Sequence, residues 1–204
     1  MLERAQEAPA GRPRRDEAET GASARERILD ACYELFSHRG IRAVGVNEVI
    51  ERAGVATATL YRHFPSKDDL VLAFLDLREQ RWTKDIIEAG AMSRSSNPEE
   101  RLLAIFDVLD EWFHRDDFEA GSFIKVLLEL GPEHPAGGAS VRHLEQIRAI
   151  VRRMAEEAGL RDTDAFARSW HILIQGSIVV AAEGDTQAAQ RGKSMGRLLI
   201  AQHR

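Results

Sequence analysis

The sequence predicts an all-α protein of about nine helices, and three observations carry that prediction. Apolar residues recur at three- and four-residue spacing over most of the chain. Helix-starting signals such as Ser23 followed by Glu26 precede several of these stretches. No segment alternates convincingly between apolar and polar residues, as a half-buried strand would, and no repeat of fixed length occurs.

Three short helical patterns fill the first part of the chain after residue 22. Ser23 and Glu26 form a capping box that opens the first helix, and Gly40 closes it. A second helix is predicted over Val46–Ala53 and a third over about Ala56–Phe64. Gly54 lies between them, where a sharp turn needs a residue that tolerates a positive φ.

A long fourth helix follows, opened by Pro65 and a second capping box of Ser66 and Asp69. Its apolar positions are Leu70, Val71, Phe74, Leu75, Trp82 and Ile86. A polar loop is expected over Ala91–Asn97. The remaining predicted helices are one from Pro98 to about Phe113, then Phe118–Leu130, Val141 to about Gly159, Thr163–Ala182 and Thr186–Ala201, with a loop over Gly131–Gly138.

Size, charge and cysteine usage narrow the class of protein. The 204 residues can bury a substantial core, as one large or two small domains. Cys32 is the only cysteine, which excludes an intrachain disulfide and argues against a cysteine-based zinc site. The longest apolar run, Ile178 to Ala182, is far shorter than a membrane span, and Met1 to Arg15 lacks a secretory apolar segment. We expect a cytoplasmic protein with no membrane partner, no metal and no cofactor.

Charge is distributed unevenly along the chain. The net charge is −5, yet residues 23–67 hold seven Lys or Arg against five Asp or Glu. The following residues are acidic overall, so a mildly basic head on an acidic body fits a protein that touches phosphate at one end. Residues 1–22 have no hydrophobic periodicity and are predicted to be a disordered tail. Binding of their arginines in a DNA minor groove is the less favoured interpretation.

The pattern around Gly54 is that of a helix-turn-helix, with a supporting helix, a sharp turn and a short outer helix that enters a DNA major groove. The same stretch resembles the DNA-binding half of the tetracycline-repressor (TetR) family. The resemblance rests on Ala53, Gly54, Val55, Leu60, Tyr61, His63, Phe64, Lys67 and Leu70, and it covers roughly residues 23–75. It implies a DNA-binding domain over residues 23–68 and a ligand-binding and dimerisation domain over residues 69–204.

Several side chains are candidates for DNA contact. Leu60 and Phe64 turn inward at i, i+4 spacing, which leaves the other face of the third helix outward. The resemblance implies that positions matching Thr57, Ala58 and Thr59 face the groove. It also implies that positions matching Tyr61, His63 and Lys67 hold phosphates, and Asn47 and Arg42 are further candidates.

Each of these side chains has a structural alternative. Thr57 would serve as a helix cap, Tyr61 as a packing residue, and Lys67 as an ordinary solvated side chain. The sequence also departs from the family at Gly45 and Ala56, where a Ser or Thr cap is usual.

The body offers candidates for an effector pocket and for a dimer face. The predicted pocket residues are Trp82, Phe106, Trp112, Phe113, Phe118, Phe123 and Trp170, with His114, Glu129, His143 or Gln175 as polar anchors, although each aromatic is also a candidate for plain core packing. The predicted dimer face comprises Phe166, Trp170, Leu173, Ile174, Ser177, Ile178, Met195, Leu198 and Leu199 on the last two helices, and packing within one subunit is the alternative. Gly176, Gly192 and Gly196 would permit close helix approach there.

The sequence therefore predicts a sequence-specific, DNA-binding transcriptional regulator. We expect a homodimeric repressor that binds a palindromic double-stranded DNA operator and is released by a small-molecule effector. One alternative is a helical small-molecule-binding module that never touches DNA. The other is an enzyme, which is disfavoured because metal-binding, nucleophile and phosphate-loop motifs are missing from the sequence.

Overall fold

A computed structural model describes residues 22–116, 118, 119 and 121–204. The described residues form nine helices and no strand, which confirms the predicted all-α fold. The predicted tail lies outside this part of the chain except for Ala22. The helices are α1 (Ala24–Arg39), α2 (Val46–Ala53), α3 (Thr57–His63), α4 (67–94), α5 (Pro98–Phe113), α6 (Ser122–Leu130), α7 (Pro135–Glu157), α8 (Thr163–Ala182) and α9 (Ala188–His203).

Helices α1 to α3 form the head, and their apolar faces meet in one core. Ile28, Cys32, Val49 and Leu60 are each 1% exposed or less. Gly54 joins α2 to α3 with φ 62° and ψ 40°, a left-handed conformation that glycine adopts without a Cβ clash. The predicted turn residue is therefore confirmed.

Ion pairs and caps hold the head helices in place. Arg39 pairs with Glu48 and Arg52 with Glu34, and each pair ties α2 to α1. Ser23 and Ser66 form the predicted capping boxes at the starts of α1 and α4. Gly45 and Ala56 provide no side-chain cap for α2 and α3.

Helix α4 leaves the head and runs into the body as one continuous helical stretch. It is α-helical over Lys67–Arg78, π-helical over Glu79–Glu88 and α-helical again over Ala89–Arg94. The predicted loop over Ala91–Asn97 is therefore wrong in its first half. Ala91 is fully buried, so this polar-looking segment has an apolar anchor that keeps it helical.

Two further helix boundaries differ from the prediction. Helix α7 begins at Pro135, inside the predicted loop, because the His134 side chain accepts a hydrogen bond from the Ala136 amide at 3.2 Å. Gly137 is helical there and lies so close to the Gly131 carbonyl that a Cβ would collide with it. Helix α6 begins at Ser122, later than predicted, after Gly121 in the left-handed conformation.

The body packs around α5, and glycines let α9 approach it closely. A Cβ at Gly192 would lie 2.7 Å from the Phe106 ring, and one at Gly196 would lie 2.8 Å from the Trp170 ring. Phe106 and Trp170 are both fully buried in this contact. The close approach predicted for Gly192 and Gly196 therefore occurs within the subunit.

His171 is a buried histidine on α8 whose charge is disfavoured. Its side chain is 9% exposed, and burial lowers its pKa from 6.5 to about 4, with nearby Arg148 adding to the effect. The folded protein therefore keeps His171 neutral at a pH where the unfolded chain protonates it. Its contribution to stability is present above pH 6.5 and is lost as the pH falls toward 4.

We predict that the free energy of unfolding falls by up to about 3 kcal/mol between pH 6.5 and 4 because of His171 alone. Chemical denaturation at pH 7.0, 6.0 and 5.0 measures this. His171→Leu, which has no ionisable side chain, should flatten the slope in that window. His38→Gln on the exposed end of α1 is the control, and a slope that His171→Leu leaves unchanged would contradict the assignment.

Candidate DNA-binding surface and effector cleft

The outer face of α3 presents the predicted groove residues to solvent. Thr57 and Ala58 are exposed and Thr59 is partly exposed. Leu60 is fully buried, which fixes the rotation of the helix. The Tyr61 side chain is 48% exposed, so its hydroxyl is accessible to a partner. This face is a short, solvent-exposed surface of small and hydroxyl side chains.

The other predicted DNA contacts differ in how exposed their side chains are. Asn47 on α2 is exposed, whereas His63 is partly buried with its ring 6.5 Å from the Phe64 ring. Lys67 departs most from the expectation. Its ammonium donates a 2.7 Å hydrogen bond to the Val44 carbonyl, which ties the start of α4 to the segment before α2. Lys67 is thus first a structural residue of the head.

The structure divides the basic residues of the head into two groups. Arg39, Arg52 and Lys67 form contacts within the head, and Arg27 donates to the Ala53 carbonyl at 3.3 Å. The second group is exposed to solvent and comprises Arg62 on α3, Arg42 before α2, and Arg25, whose guanidinium lies over the Phe64 ring at 5.4 Å. Sequence analysis missed Arg25 and Arg62, although an arginine between Tyr61 and His63 was a visible signal.

A narrow cleft in the body lies between α4, α6, α7 and α8. Its lining comprises Arg78, Trp82, Gly121, Ser122, Phe123, Ile124, Leu144, Gln175 and Ile178, and its volume is about 10 Å³. That volume accommodates roughly one water molecule. Of the predicted aromatic lining, only Trp82 and Phe123 contribute.

The other predicted pocket aromatics lie elsewhere. Phe106 and Trp170 fill the core beneath α9, because the glycines of α9 leave that space for them. Trp112 packs edge-on against Trp82 at 5.4 Å, one layer behind the cleft. Phe113 packs against Phe118 at 5.1 Å.

Most of the predicted polar anchors are occupied by other partners. His143 pairs with Glu79 at 2.7 Å and stacks on Phe123. The Glu129 carboxylate accepts a hydrogen bond from the backbone N–H of Arg42 at 3.1 Å, and this bond joins α6 to the head. Gln175 alone lines the cleft.

A buried cluster of charged and aromatic side chains closes one end of the cleft. Arg78 and Glu119 form an ion pair in which each side chain is 4% exposed. Arg78 also donates to the Tyr33 hydroxyl on α1 at 2.7 Å, and Ser122 donates to Glu119 at 2.9 Å. The guanidinium carbon lies 5.5 to 5.6 Å from the ring centres of Tyr33, Trp82 and Trp112. We call these residues the Arg78 cluster.

The last two helices present an apolar surface that differs from the predicted one. Five of the predicted dimer contacts are buried inside the subunit: Phe166, Trp170, Ile174, Ser177 and Ile178. The prediction is wrong for these residues, which belong to the core. Leu173 and Leu199 are half-buried, whereas Met195 and Leu198 are 56% and 73% exposed. Ile172 and Val179, which sequence analysis missed, are 70% and 54% exposed.

Helix α8 is unusually apolar along its length. Within the described part of the chain it alone is long and apolar enough to cross a membrane, with a mean hydropathy of 1.2. It packs between α7 and α9, and 39% of its apolar window is buried in the subunit. This is the composition of a helix that has core contacts on one side and an apolar outer face on the other.

Comparison with known proteins identifies relatives of the head and of the fold. The profile of bacterial regulatory proteins of the tetR family matches residues 28–74. The transcriptional repressor KstR of Rhodococcus jostii is 31% identical over 140 residues, which are 69% of this chain and 61% of that protein. The transcriptional activator FasR of Mycolicibacterium smegmatis is 32% identical over 115 residues, 55% of this chain and 51% of that protein. The aligned regions thus span roughly half to three-fifths of these curated relatives.

A solved structure agrees over nearly the whole fold. SCO4454, a TetR-family transcriptional regulator from Streptomyces coelicolor, superimposes with a TM-score of 0.81 at 25% identity. The match covers 88% of this chain and 95% of that one. The likeness therefore extends through the body as well as the head.

We predict that Lys67→Gln lowers the stability of the protein by about 1 kcal/mol, because it removes a charge-assisted hydrogen bond to the Val44 carbonyl. Thermal unfolding measures the loss. Arg62→Gln is the matched control, since it removes an exposed cation from the neighbouring helix and should leave stability unchanged. Equal unfolding temperatures for Lys67→Gln and the parent protein would contradict the structural role of Lys67.

Proposed function

Because the chain belongs to the TetR family of bacterial regulatory proteins, we propose that it is a sequence-specific DNA-binding transcriptional regulator. It acts as a homodimeric repressor on a palindromic operator, is released by a small-molecule effector and works in the cytoplasm. The observation that carries the proposal is the outer face of α3, where exposed Thr57 and Ala58 share a short helix with exposed Tyr61 and Arg62.

The roles on this face divide between groove and backbone. Thr57, Ala58 and Thr59 are short enough to meet base edges, with the Ala58 methyl suited to contact a thymine methyl. Tyr61 and Arg62 follow on the same helix and reach phosphate oxygens. Arg25, which lies over Phe64 at the end of α3, adds charge beside the surface, and Arg42, Asn47 and His63 are secondary contacts.

The second subunit docks on the exposed apolar surface of α8 and α9. Ile172, Val179, Met195 and Leu198 provide its apolar contacts, and Leu173 and Leu199 lie at its margin. Gly176 is exposed with no neighbour within 4 Å of a Cβ position, so a partner helix can approach closely there. Two-fold pairing then presents two α3 helices to half-sites about one helical turn apart, roughly 34 Å.

Helix α6 provides the route from the cleft to the head. Ser122, Phe123 and Ile124 at its start line the cleft. Lys125 donates to the Ser37 carbonyl of α1 at 3.2 Å, and Glu129 accepts the Arg42 amide. A ligand that displaces the start of α6 therefore changes contacts that position the head.

We predict that Arg62→Gln weakens DNA binding to all sequences by about 3- to 10-fold and flattens its salt dependence, because a phosphate contact is lost. Thr59→Ala should instead alter sequence preference with an unchanged salt slope. Titrations of a selected DNA fragment from 50 to 200 mM salt compare the two variants.

Glu145→Gln, on the body, is the control for these titrations and should bind like the parent protein. Identical effects of Arg62→Gln and Thr59→Ala would contradict the division of roles. A parent protein that binds no selected DNA at low salt would leave a helical small-molecule-binding module as the better description.

We predict that Leu198→Glu converts the dimer to a monomer, because it places a charge in the apolar surface of α8 and α9. Sedimentation velocity measures the change in mass. Leu128→Glu on α6 is the matched control, since Leu128 is 79% exposed and lies outside this surface. A dimer that survives Leu198→Glu, or one that Leu128→Glu dissociates, would place the interface elsewhere.

A further inference from the structure

The turn between α1 and α2 holds a carboxylate that comes from the body. Glu129, near the end of α6, accepts a hydrogen bond from the backbone N–H of Arg42 at 3.1 Å, although the two residues are 87 positions apart in sequence. Gly40 begins this turn with φ 81°, and a Cβ there would collide with the Glu129 carboxylate. Glycine thus meets two requirements at this position, a positive φ and room for a side chain from the body.

The position of the Glu129 carboxylate is unfavourable for α1 itself. Carbonyl groups at the C-terminal end of a helix carry a partial negative charge, which favours a cation there and disfavours an anion. Lys125, one turn earlier on α6, satisfies this preference by donating to the Ser37 carbonyl at 3.2 Å. Glu129 does not, and it is held by the Arg42 N–H and by the space at Gly40. Stabilisation of α1 therefore does not account for this carboxylate.

Contacts between the head and the rest of the protein are spread along α1. The Tyr33 hydroxyl, in the middle of α1, accepts a hydrogen bond from Arg78 of α4 at 2.7 Å. The turn that Glu129 binds begins at Gly40, seven residues or about 10 Å farther along the helix axis. A contact at Tyr33 alone would let the head pivot about that point, and a contact about 10 Å away opposes the rotation.

A rotation of α1 carries the DNA-binding surface with it. Helix α3 packs into the same core as α1 and α2, through fully buried Leu60 beside Ile28 and Val49. The bound turn is also joined to the start of α4, because Lys67 donates to the Val44 carbonyl at 2.7 Å. The angle of the head on the body therefore sets the direction of α3.

We propose that Glu129 is a positioning residue for DNA binding: its hydrogen bond to the Arg42 N–H sets the angle of the head, and through it the half-site spacing that a dimer accepts. This proposal rests on the proposed function and specifies how paired α3 helices are kept at one separation. One added base pair rotates a half-site by about 35° around the duplex. A head held at one angle therefore selects one spacing, and a head free to pivot accepts several.

A distance measurement on DNA-free protein tests the angle of the head directly. Spin labels are attached at Glu51→Cys on α2 and at Gln146→Cys on α7, which are both exposed positions. Cys32 is fully buried, and burial raises the pKa of its thiol to about 12, so it stays unlabelled. Labelled protein is mixed with an excess of unlabelled protein, so that double electron–electron resonance reports only distances within one chain.

We expect Glu129→Ala to broaden the distribution of these distances, because it removes the contact that opposes pivoting. Glu129→Gln keeps an oxygen that accepts from the Arg42 N–H and should restore the narrow distribution of the parent protein. Glu133→Ala, at an exposed position between α6 and α7, is the matched control and should match the parent protein. An unchanged distribution in Glu129→Ala would overturn the proposal.

A library of selected half-sites, paired symmetrically with a variable number of base pairs between them, tests the effect on DNA binding. The parent protein should prefer one spacing. Glu129→Ala should lose at least about 3-fold of that preference over spacings one base pair shorter or longer, and Glu129→Gln should keep it. The ratio of affinities between spacings does not depend on the fraction of folded protein, so a general loss of stability would leave it unchanged.

Three results of the library experiment would overturn the proposal: an equal loss of affinity at every spacing in Glu129→Ala, an unchanged preference in that variant, and a parent protein that accepts all spacings equally. These results are distinct from a failure of the proposed function. Parent protein that binds no selected DNA, while Glu129→Ala still broadens the distance distribution, would overturn the regulator and leave Glu129 as a residue that fixes the angle of the head.

Discussion

The buried ion pair between Arg78 and Glu119 is the constraint on which the arrangement of head and body depends. Two opposite charges at 4% exposure are stable only while both stay in place, because loss of one partner leaves the other unpaired away from water, at a cost of about 3 to 5 kcal/mol. Arg78 contacts Tyr33 of the head as well as Trp82 and Trp112 of the body. The cluster therefore fixes α1, α4 and the start of α6 relative to one another.

The same cluster connects the proposed ligand site to the DNA-binding surface. Helix α6 begins in the cleft, and Lys125 and Glu129 on it contact the backbone of the head. Lys67 ties the start of α4 to the segment before α2, and the ion pairs of α2 hold that helix against α1. A displacement of α6 would thus change contacts with the backbone of the head.

Local sequence signals predicted the head well because its boundaries are set by neighbouring residues. Ser23, Gly54 and Ser66 act through caps and a turn that involve residues four or fewer positions away. The body was predicted less accurately. The burial of Ala91 and the packing of Gly137 against the Gly131 carbonyl depend on the folded structure, and the sequence there has a loop-like composition.

In the candidate sites too, features set by neighbouring residues were predicted and features that depend on distant residues were not. The outward face of α3 followed from the spacing of Leu60 and Phe64, and the DNA contacts assigned to it remain predictions. The bond from Lys67 to Val44 spans 23 positions and was invisible in the sequence. Helical spacing identified apolar positions on α8 but could not distinguish buried Phe166 and Ile174 from exposed Ile172, because both sides of that helix are apolar.

Hydroxyl-radical footprinting on DNA selected by the protein from a random-sequence pool tests the central claim most directly. The account predicts two protected patches on one face of the duplex, about one helical turn or a multiple of it apart, over sequences related by a two-fold axis. Protection without sequence preference, or a single patch with no symmetric partner, would contradict a paired α3 surface built for DNA.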